Sequence, residues 1–454
     1  LGQTPEEEES VRDRHSHYYL EFMRRQTQPL HSHQQSQALL EVLAEVDNVR
    51  AAWHWAVAQR RVLEIGRAVR SWSILYDIQG WYREMELVCR ETIDMLDTGR
   101  GSEEYGRHKN SEAERERGIV LGQMVAAYGG VLLRTGSLGR SKALLQQSIT
   151  LLRKYDAPDE LANTLFYAGS LAQLMGDYAV AKTLLQEGLA LHQACGDQRG
   201  EGLCLAVLGV TAGLVGNYAE AKILMQQGAD LLRTVGDHRY LAIVLSFLGK
   251  VVAATGELAA AKRLLEESLA ISQGLNDRWN QAFCLNHIGT MTFLLGADAW
   301  PEAKRLYQES LAIAQELGER NAAAMSLNHL GQIFYAQGEF GEAKQHFLTA
   351  LETALAGQGT PVALDALVGL LTLQVNQAST ASHSGLTLKE QAVATLAMVL
   401  NQPTTMHQTK EKADRLLAQL ESALPPSVFE SAQTRGAASS LEAAAREILM
   451  SWQK

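Results

Sequence analysis

The sequence predicts an all-α solenoid of stacked helical hairpins with a period of about 40 residues. Three observations predict it. Glycine recurs in register: Gly136, Gly176, Gly216, Gly256, Gly296 and Gly338 form one column, and Gly129, Gly169, Gly209, Gly249, Gly289 and Gly331 form a second, seven residues earlier. The step is 40 residues until Asp298-Ala299-Trp300-Pro301 widens it to 42. The segment before each turn carries apolar residues three and four apart, as in Leu165, Ala168, Gly169 and Ala172, the spacing of one helix face. The segment after the turn does the same with Ala181, Leu184, Leu185, Leu189 and Leu191, then closes at Gly196-Asp197, a helix stop and restart. A hairpin of this size cannot bury its apolar face alone, so neighbours must stack into one body.

Taken in order, residues 1–60 read as an N-terminal helical segment, and 61–98 as a first repeat turning at Gly80-Trp81-Tyr82. Residues 99–117 are a charged insert, in which Arg100, Arg107, Lys109, Arg115 and Arg117 balance the glutamates. It reads as a flexible loop or as a mobile contact to a neighbouring module. Six repeats fill 118–358, and 359–400 is a degenerate final repeat in which Ser379 to Gly385 replaces the hairpin turn. Residues 401–454 cap the stack; Leu388 to Leu400, Lys410 to Leu424 and Ser440 to Trp452 read as three terminal helices. The earlier glycine column lies inside helices, where each Gly costs ~1 kcal/mol relative to Ala. Close helix approach must offset that, with each Gly expected to face a small residue of the partner helix: Ser141, Ala181, Ala221, Ala261, Ala303 or Ala343.

Composition bounds the function. With 454 residues, 46% hydrophobic and 20% charged, the chain has enough apolar surface for a continuous core. No window approaches 18 consecutive apolar residues, and the start has no basic, apolar leader, so no membrane partner and a cytoplasmic setting are expected. The chain opens with Leu1, which reads as a piece of something longer. Cys89, Cys195, Cys204 and Cys284 form no C-x-x-C pair, and His15, His17, His31 and His33 lack ligand companions, so no metal site, cofactor or disulfide framework is read. No nucleophile elbow, H-E-x-x-H or paired-carboxylate setting occurs, which argues against an enzyme and leaves no catalytic residue to name.

The columns Leu208-Gly209, Gly216-Asn217-Tyr218 and Ala221, repeated as Leu330-Gly331, Gly338-Glu339-Phe340 and Ala343, resemble the tetratricopeptide repeat family. The period exceeds that family's usual 34 residues, which reads as longer helices. The resemblance implies a right-handed superhelical solenoid. His15-Ser16-His17-Tyr18-Tyr19-Leu20 and Glu45-Val46-Asp47-Asn48-Val49-Arg50-Ala51-Ala52-Trp53-His54-Trp55-Ala56 resemble the helical segment that precedes such repeats in signal-transduction ATPases with numerous domains, the STAND proteins. The tail, with Asn401-Gln402-Pro403-Thr404-Thr405, Leu424-Pro425-Pro426 and Arg435-Gly436, is similar to the closing segment of bacterial members. No G-x-x-x-x-G-K-[ST] loop occurs; the nearest string is Gly136 to Lys142, so this chain is not expected to hydrolyse ATP. The resemblance implies the sensor half: a repeat array that holds an N-terminal ATPase module closed until an inducer binds, in transcriptional regulation or antiphage defence.

If Leu165, Ala168, Gly169 and Ala172 pack inward, the adjoining stripe of that helix is Asn163, Phe166, Ser170 and Gln173. Equivalent sets are Gln123, Ala126, Gly130 and Leu133; Leu203, Ala206, Val210 and Gly213; Ile243, Ser246, Lys250 and Ala253; Phe283, Asn286, Thr290 and Phe293; and Met325, Asn328, Gln332 and Tyr335. Of these 24 positions only Lys250 is charged, against about five expected at the overall frequency, so a neutral, aromatic-lined concave groove is expected. Neutrality argues against nucleic acid and phosphate-rich or strongly acidic ligands, and favours a protein or peptide, or a small-molecule inducer. Asn286 and Asn328 share a column and either grip an extended backbone or make structural hydrogen bonds; Phe166, Phe283, Phe293 and Tyr335 either bind ligand or pack between repeats. Lys142, Lys182, Lys222, Lys262, Lys304 and Lys344 lie among acidic residues and read as a solvated outer face. A constitutive protein-protein scaffold without switching is the competing function, and the isolated chain is expected to be monomeric.

Overall fold

The computed structural model describes residues 5–98, 111–357, 359–377 and 383–452. Among them all regular structure is helical, and the helices follow one another as packed hairpins. By compactness the chain falls into two units, Leu1–Thr211 with Ile223–Leu241, and Ala212–Lys222 with Ala242–Lys454.

The first unit opens with α1 (Pro5–Gln26), α2 (Gln35–Ala44) and α3 (Val46–Ala58). Helices α4 (Val62–Gln79) and α5 (Tyr82–Thr98) form the first hairpin, which turns at Gly80. Here α1 packs on α3 and α4, and α4 on α6 (Ser111–Arg134). Trp53 and Trp72, each 1% exposed, meet at 5.2 Å between ring centroids in a core that runs from Leu20 to Leu132. The repeats proper follow as α6 with α7 (Leu138–Lys154), α8 (Pro158–Leu174) with α9 (Tyr178–Cys195), and α10 (Gln198–Leu214) with α11 (Tyr218–Val235). Helix α12 spans His238–Ala254. The charged insert was expected to reach residue 117; α6 already begins at Ser111, and the rest of the insert, 99–110, lies outside the described residues.

The second unit continues with α13 (Leu258–Gly274), α14 (Arg278–Leu294), α15 (Trp300–Leu317), α16 (Arg320–Ala336), α17 (Phe340–Ala356) and α18 (Thr360–Gln377). It ends in α19 (His383–Asn401), α20 (His407–Glu421), α21 (Pro426–Ala437) and α22 (Leu441–Trp452). The terminal cap thus has one helix more than the three expected. Pro425-Pro426 reads as a break, but Pro426 sits at the first position of α21, where its missing N–H removes nothing and its fixed φ suits a helix start. Gly436 on α21 lies against the Ala394 carbonyl of α19, and one core spans α15 to α22.

The turn glycines adopt positive φ, from 69° at Gly80 to 108° at Gly296, the left-handed region that closes a helix. The turns between hairpins need the same geometry. Gly196, Gly236 and Gly318 supply it there, while Asp156 (φ 50°) and Asn276 (φ 53°) stand in, as short polar side chains tolerate it best.

The interior glycines face a different neighbour from the one expected. A Cβ at Gly129, Gly169 or Gly249 would strike Leu145, Leu185 or Leu265, and one at Gly289 or Gly331 would strike Tyr307 or Phe347. Each is the large residue one helical turn beyond the small one. The small residue lets the backbones approach, and the glycine then receives the bulky side chain. A second small column, not read from the sequence, does related work: Ser148, Ser268 and Ser310 donate to the carbonyls of Gly122, Ala242 and Ala282 at 2.6–2.8 Å, clamping each hairpin midway.

Candidate functional site

The first unit contains a cavity of about 170 Å³. Five elements build it: α4 with Arg70, Ser73 and Asp77; α6 with Gln123 and Ala126; α8 with Asp159, Glu160, Asn163, Phe166 and Tyr167; the first turn of α10 with Arg199; and Asp237, Arg239 and Tyr240 at the start of α12. His31 closes it from the segment before α2.

Its polar groups are arranged as pairs. Asp77 accepts from Arg239 Nη1 at 3.2 Å and Tyr82 OH at 3.3 Å, with Arg134 Nε at 3.2 Å. Burial pushes its carboxyl up, but the two guanidiniums outweigh that and hold it below the usual range. Asp237, 2% exposed, accepts from Arg199 Nε at 2.8 Å and from the Tyr240 backbone N–H at 3.0 Å, so it both pairs a charge and caps α12. Arg199 stacks over the Tyr240 ring at 5.1 Å. Arg70 lies 3.4 Å from Asp197, which also accepts the Gly200 N–H. His31 is held well below the ordinary imidazole value by burial and by Arg199, Arg70 and Arg239, so it is neutral at pH 7. Burial, with Tyr240 and Asp77, pushes the Tyr167 phenol up to about 12. Gln123 Nε2 donates to Glu160 at 3.1 Å, while its carbonyl oxygen is buried without a partner.

This cavity, unlike the neutral groove expected of the stripe, is lined by charge from residues outside the stripe. The signal lay one turn before the predicted stripe, where Asp159, Arg199 and Arg239 occupy one column of the 40-residue repeat. Arg70 and Asp77 come from α4, in the first repeat, to which the stripe was not extended.

The structure divides the predicted stripe. In the first unit Asn163, Phe166 and Leu203 line the cavity, with Gln123 and Ala126; Ser170, Gln173 and Val210 are half-buried and do not line it. Asn163 donates to Asp159 O and Ser170 to Phe166 O, both along their own helix. In the second unit Ile243, Lys250, Phe283, Thr290, Phe293, Met325, Gln332 and Tyr335 are half-buried, whereas Ser246, Asn286 and Asn328 are buried. Ser246 donates to Ile243 O at 2.6 Å. Phe283 packs among Phe247, Trp279 and His287; Phe293 stacks on Trp300; Tyr335 packs on Phe340 and accepts from Asn376. Thr290 donates to Asn286 O and accepts from Tyr307 OH. Both asparagines make structural bonds between repeats: Asn286 Nδ2 donates to Ser326 Oγ at 3.0 Å and Asn328 Nδ2 to Asp365 at 2.5 Å. Among the described residues no group of three or more His, Cys, Asp or Glu gathers as a metal site, and no helix is long and apolar enough to cross a membrane.

Residues 196–274 and 281–356, about a third of the chain, match the tetratricopeptide repeat family model. The repeat region is thus of tetratricopeptide type, on an all-helical fold. No curated protein matches the sequence. Among solved structures, the chain is similar to the Rap conjugation gene regulator of the plasmid pLS20 in complex with the Phr* peptide (14% identity, 82% of this chain, 96% of that chain, TM-score 0.50). It is also similar to a Rap protein complexed with competence and sporulation factor (12% identity, 82% and 97% covered, TM-score 0.50). A third is a STAND protein with a tetratricopeptide repeat sensor from Pyrococcus horikoshii (12% identity, 80% and 54% covered, TM-score 0.47). The likeness to the Rap proteins is one of fold.

Proposed function

We propose that this chain is the ligand-sensing repeat domain of a STAND ATPase switch in the cytoplasm, and that it takes a peptide or an extended protein segment in the first-unit cavity. Binding there releases the ATPase module from autoinhibition. The observation that carries the reading is the cavity itself: side chains from α4, α6, α8, α10 and α12 converge on it, and Asp77 and Asp237 are held there by arginines from other elements. A ligand that bridges these elements changes how they are held, which is what a sensor requires. The mixed lining of Phe166, Tyr167 and Tyr240 with Arg199, Asp159 and Glu160 suits the apolar and ionic groups of a peptide. The peptide complex of the pLS20 Rap regulator, a protein of similar fold, supports that class. The segments His15–Leu20 and Glu45–Ala56, with the tail from Asn401, support the STAND parentage.

The test is affinity capture from host lysate with the full chain and with an Asn163→Ala, Phe166→Ala variant, followed by mass spectrometry and synthesis of the captured segment. The expected result is a peptide or protein retained by the unaltered chain and released by the variant. Equal retention by both would overturn the placement of the site.

A further inference from the structure

Ten buried side-chain nitrogen or oxygen atoms among the described residues have no hydrogen-bond partner, and four of them fall on two adjacent pairs. These are Asn286 Oδ1 and His287 Nε2 on α14, and Asn328 Oδ1 and His329 Nδ1 on α16. Asn286, His287 and Asn328 are 0%, 6% and 2% exposed. Buried polar atoms are ordinarily satisfied, so such a concentration points to something that binds there. The orientation of Asn328 is fixed by chemistry: its Nδ2 faces the Asp365 carboxylate, which can only accept, so its oxygen must be the atom left over.

Charge adds a second, independent observation. Lys250 on α12, three positions past the helical column of His287 and His329, makes no hydrogen bond or ion pair among the described residues. The carboxylate that acts on it, Asp365, is already occupied by Asn328 Nδ2, by Thr409 Oγ1 at 3.1 Å and by Lys412 Nζ at 3.0 Å. Lys412 thus holds that carboxylate directly, and Lys250 is left without an acceptor of its own among the described residues. Burial lowers the Lys250 ammonium, and burial together with Lys250 lowers both imidazoles, His329 to about 4. A part-buried ammonium whose neighbouring carboxylate is already taken favours an anion, and two neutral imidazoles with an unused nitrogen offer donors beside it.

We propose that Lys250, His287 and His329, flanked by Asn286 and Asn328, form a subsite in the second unit for an oxyanion, a carboxylate or phosphate group on a ligand that also carries a hydrogen-bond donor. The oxyanion neutralises Lys250 and accepts from the imidazole N–H groups; the donor meets the two amide oxygens. This goes beyond the first-unit cavity and does not rest on it. It also departs from the expectation that the stripe disfavours anions, because a charge in a part-buried setting attracts an opposite charge more strongly than the same charge in water.

The test is thermal unfolding of the full chain at constant ionic strength with two probes, inorganic phosphate and N-acetylglycine, whose carboxylate lies beside an amide N–H. At least one should raise the midpoint progressively with concentration, as mass action requires. Whichever does so identifies the source of the oxyanion. Lys250→Met should abolish the whole concentration-dependent shift and Lys250→Arg should keep it. Without anions Lys250→Met should be no less stable than the unaltered chain, since it removes an uncompensated charge. If Lys250→Met does not fold, a His287→Gln, His329→Gln variant serves instead, with the same loss expected. Calorimetry in buffers of different ionisation enthalpy should show proton uptake on binding at about pH 6, because the anion raises imidazoles now held down by Lys250, with Asp365 and Lys412 as the other charges facing them. No shift with either probe, an equal shift in Lys250→Met, or binding without proton uptake would overturn the proposal.

Discussion

Replacing Gly169 by Ala should destabilise the first unit, although Ala is the better helix former. The added Cβ would stand 2.5 Å from Leu185 Cγ, 2.9 Å from Leu185 Cδ2 and 3.4 Å from the Ala181 carbonyl oxygen. Carbon atoms in favourable contact sit roughly 3.5–4.0 Å apart, so Leu185 must retreat by about 1 Å. It is 0% exposed and has no free space to enter. Helix propensity returns ~1 kcal/mol, while overpacking costs ~1–3 kcal/mol. The net expectation is a loss of about 1 kcal/mol, where an unhindered glycine would give a gain. Gly139, on α7 with nothing within 4 Å of its Cβ position, is that control, and Gly139→Ala should stabilise. Leu185→Ala alone should cost ~2–5 kcal/mol through the cavity it leaves. With Gly169→Ala added, the new methyl enters that cavity, so the double variant should be less destabilised than the two single losses together. The assay is urea unfolding by far-UV circular dichroism, with amide hydrogen exchange in α8 and α9 to localise the change. Stabilisation by Gly169→Ala equal to that of Gly139→Ala, or strict additivity with Leu185→Ala, would refute the close-packing argument.

Asp365→Ala should cost ~3 kcal/mol in urea unfolding, because it leaves Asn328 Nδ2, Thr409 and Lys412 without their acceptor. Arg199→Ala should destabilise by ~2 kcal/mol, since Asp237 stays buried and keeps only its capping bond to Tyr240; Asp237→Asn in the same background should recover part of the loss in that assay. Acid should weaken the fold before the carboxylates titrate. His31, His287 and His329 bind protons less readily folded than unfolded, so between an unfolded value of ~6.5 and the folded value of about 4 for His329 the unfolded chain holds more protons. Stability therefore falls as pH drops through that window and is level above it; a thermal midpoint constant between about pH 7 and pH 5 would contradict this. Ser268→Ala should cost ~1–2 kcal/mol, as Asn280 and the Ala242 carbonyl both lose a buried partner, with loss of hydrogen-exchange protection expected in α13 and α14.

Where sequence reading succeeded and failed follows from the range of the interactions involved. The hairpins and the turn glycines obey rules acting within a few residues: apolar spacing fixes helix faces, and a left-handed turn demands Gly, Asn or Asp. These were legible in columns such as Gly136 to Gly338 without any structure. Helix α21 was missed by the same local reading, because Pro425-Pro426 is equally a break and a helix start. That Gly169 receives Leu185 rather than Ala181 depends on the axial offset of two helices, which spacing alone leaves open by a turn. The cavity depended most on the tertiary structure. Asp77 and Arg239 are 162 residues apart, and Arg70 and Asp197 are 127 apart. Their charges meet only because α4 is brought against the first turns of the later repeats. The same holds for Lys250: Asp365, the carboxylate that acts on it, is occupied by Lys412 from the cap. Periodicity determined which residues share a face, being a property of one helix. Which charges are paired and which are left over was decided by the approach of distant segments, because electrostatic pairing depends on distance in space and not along the chain.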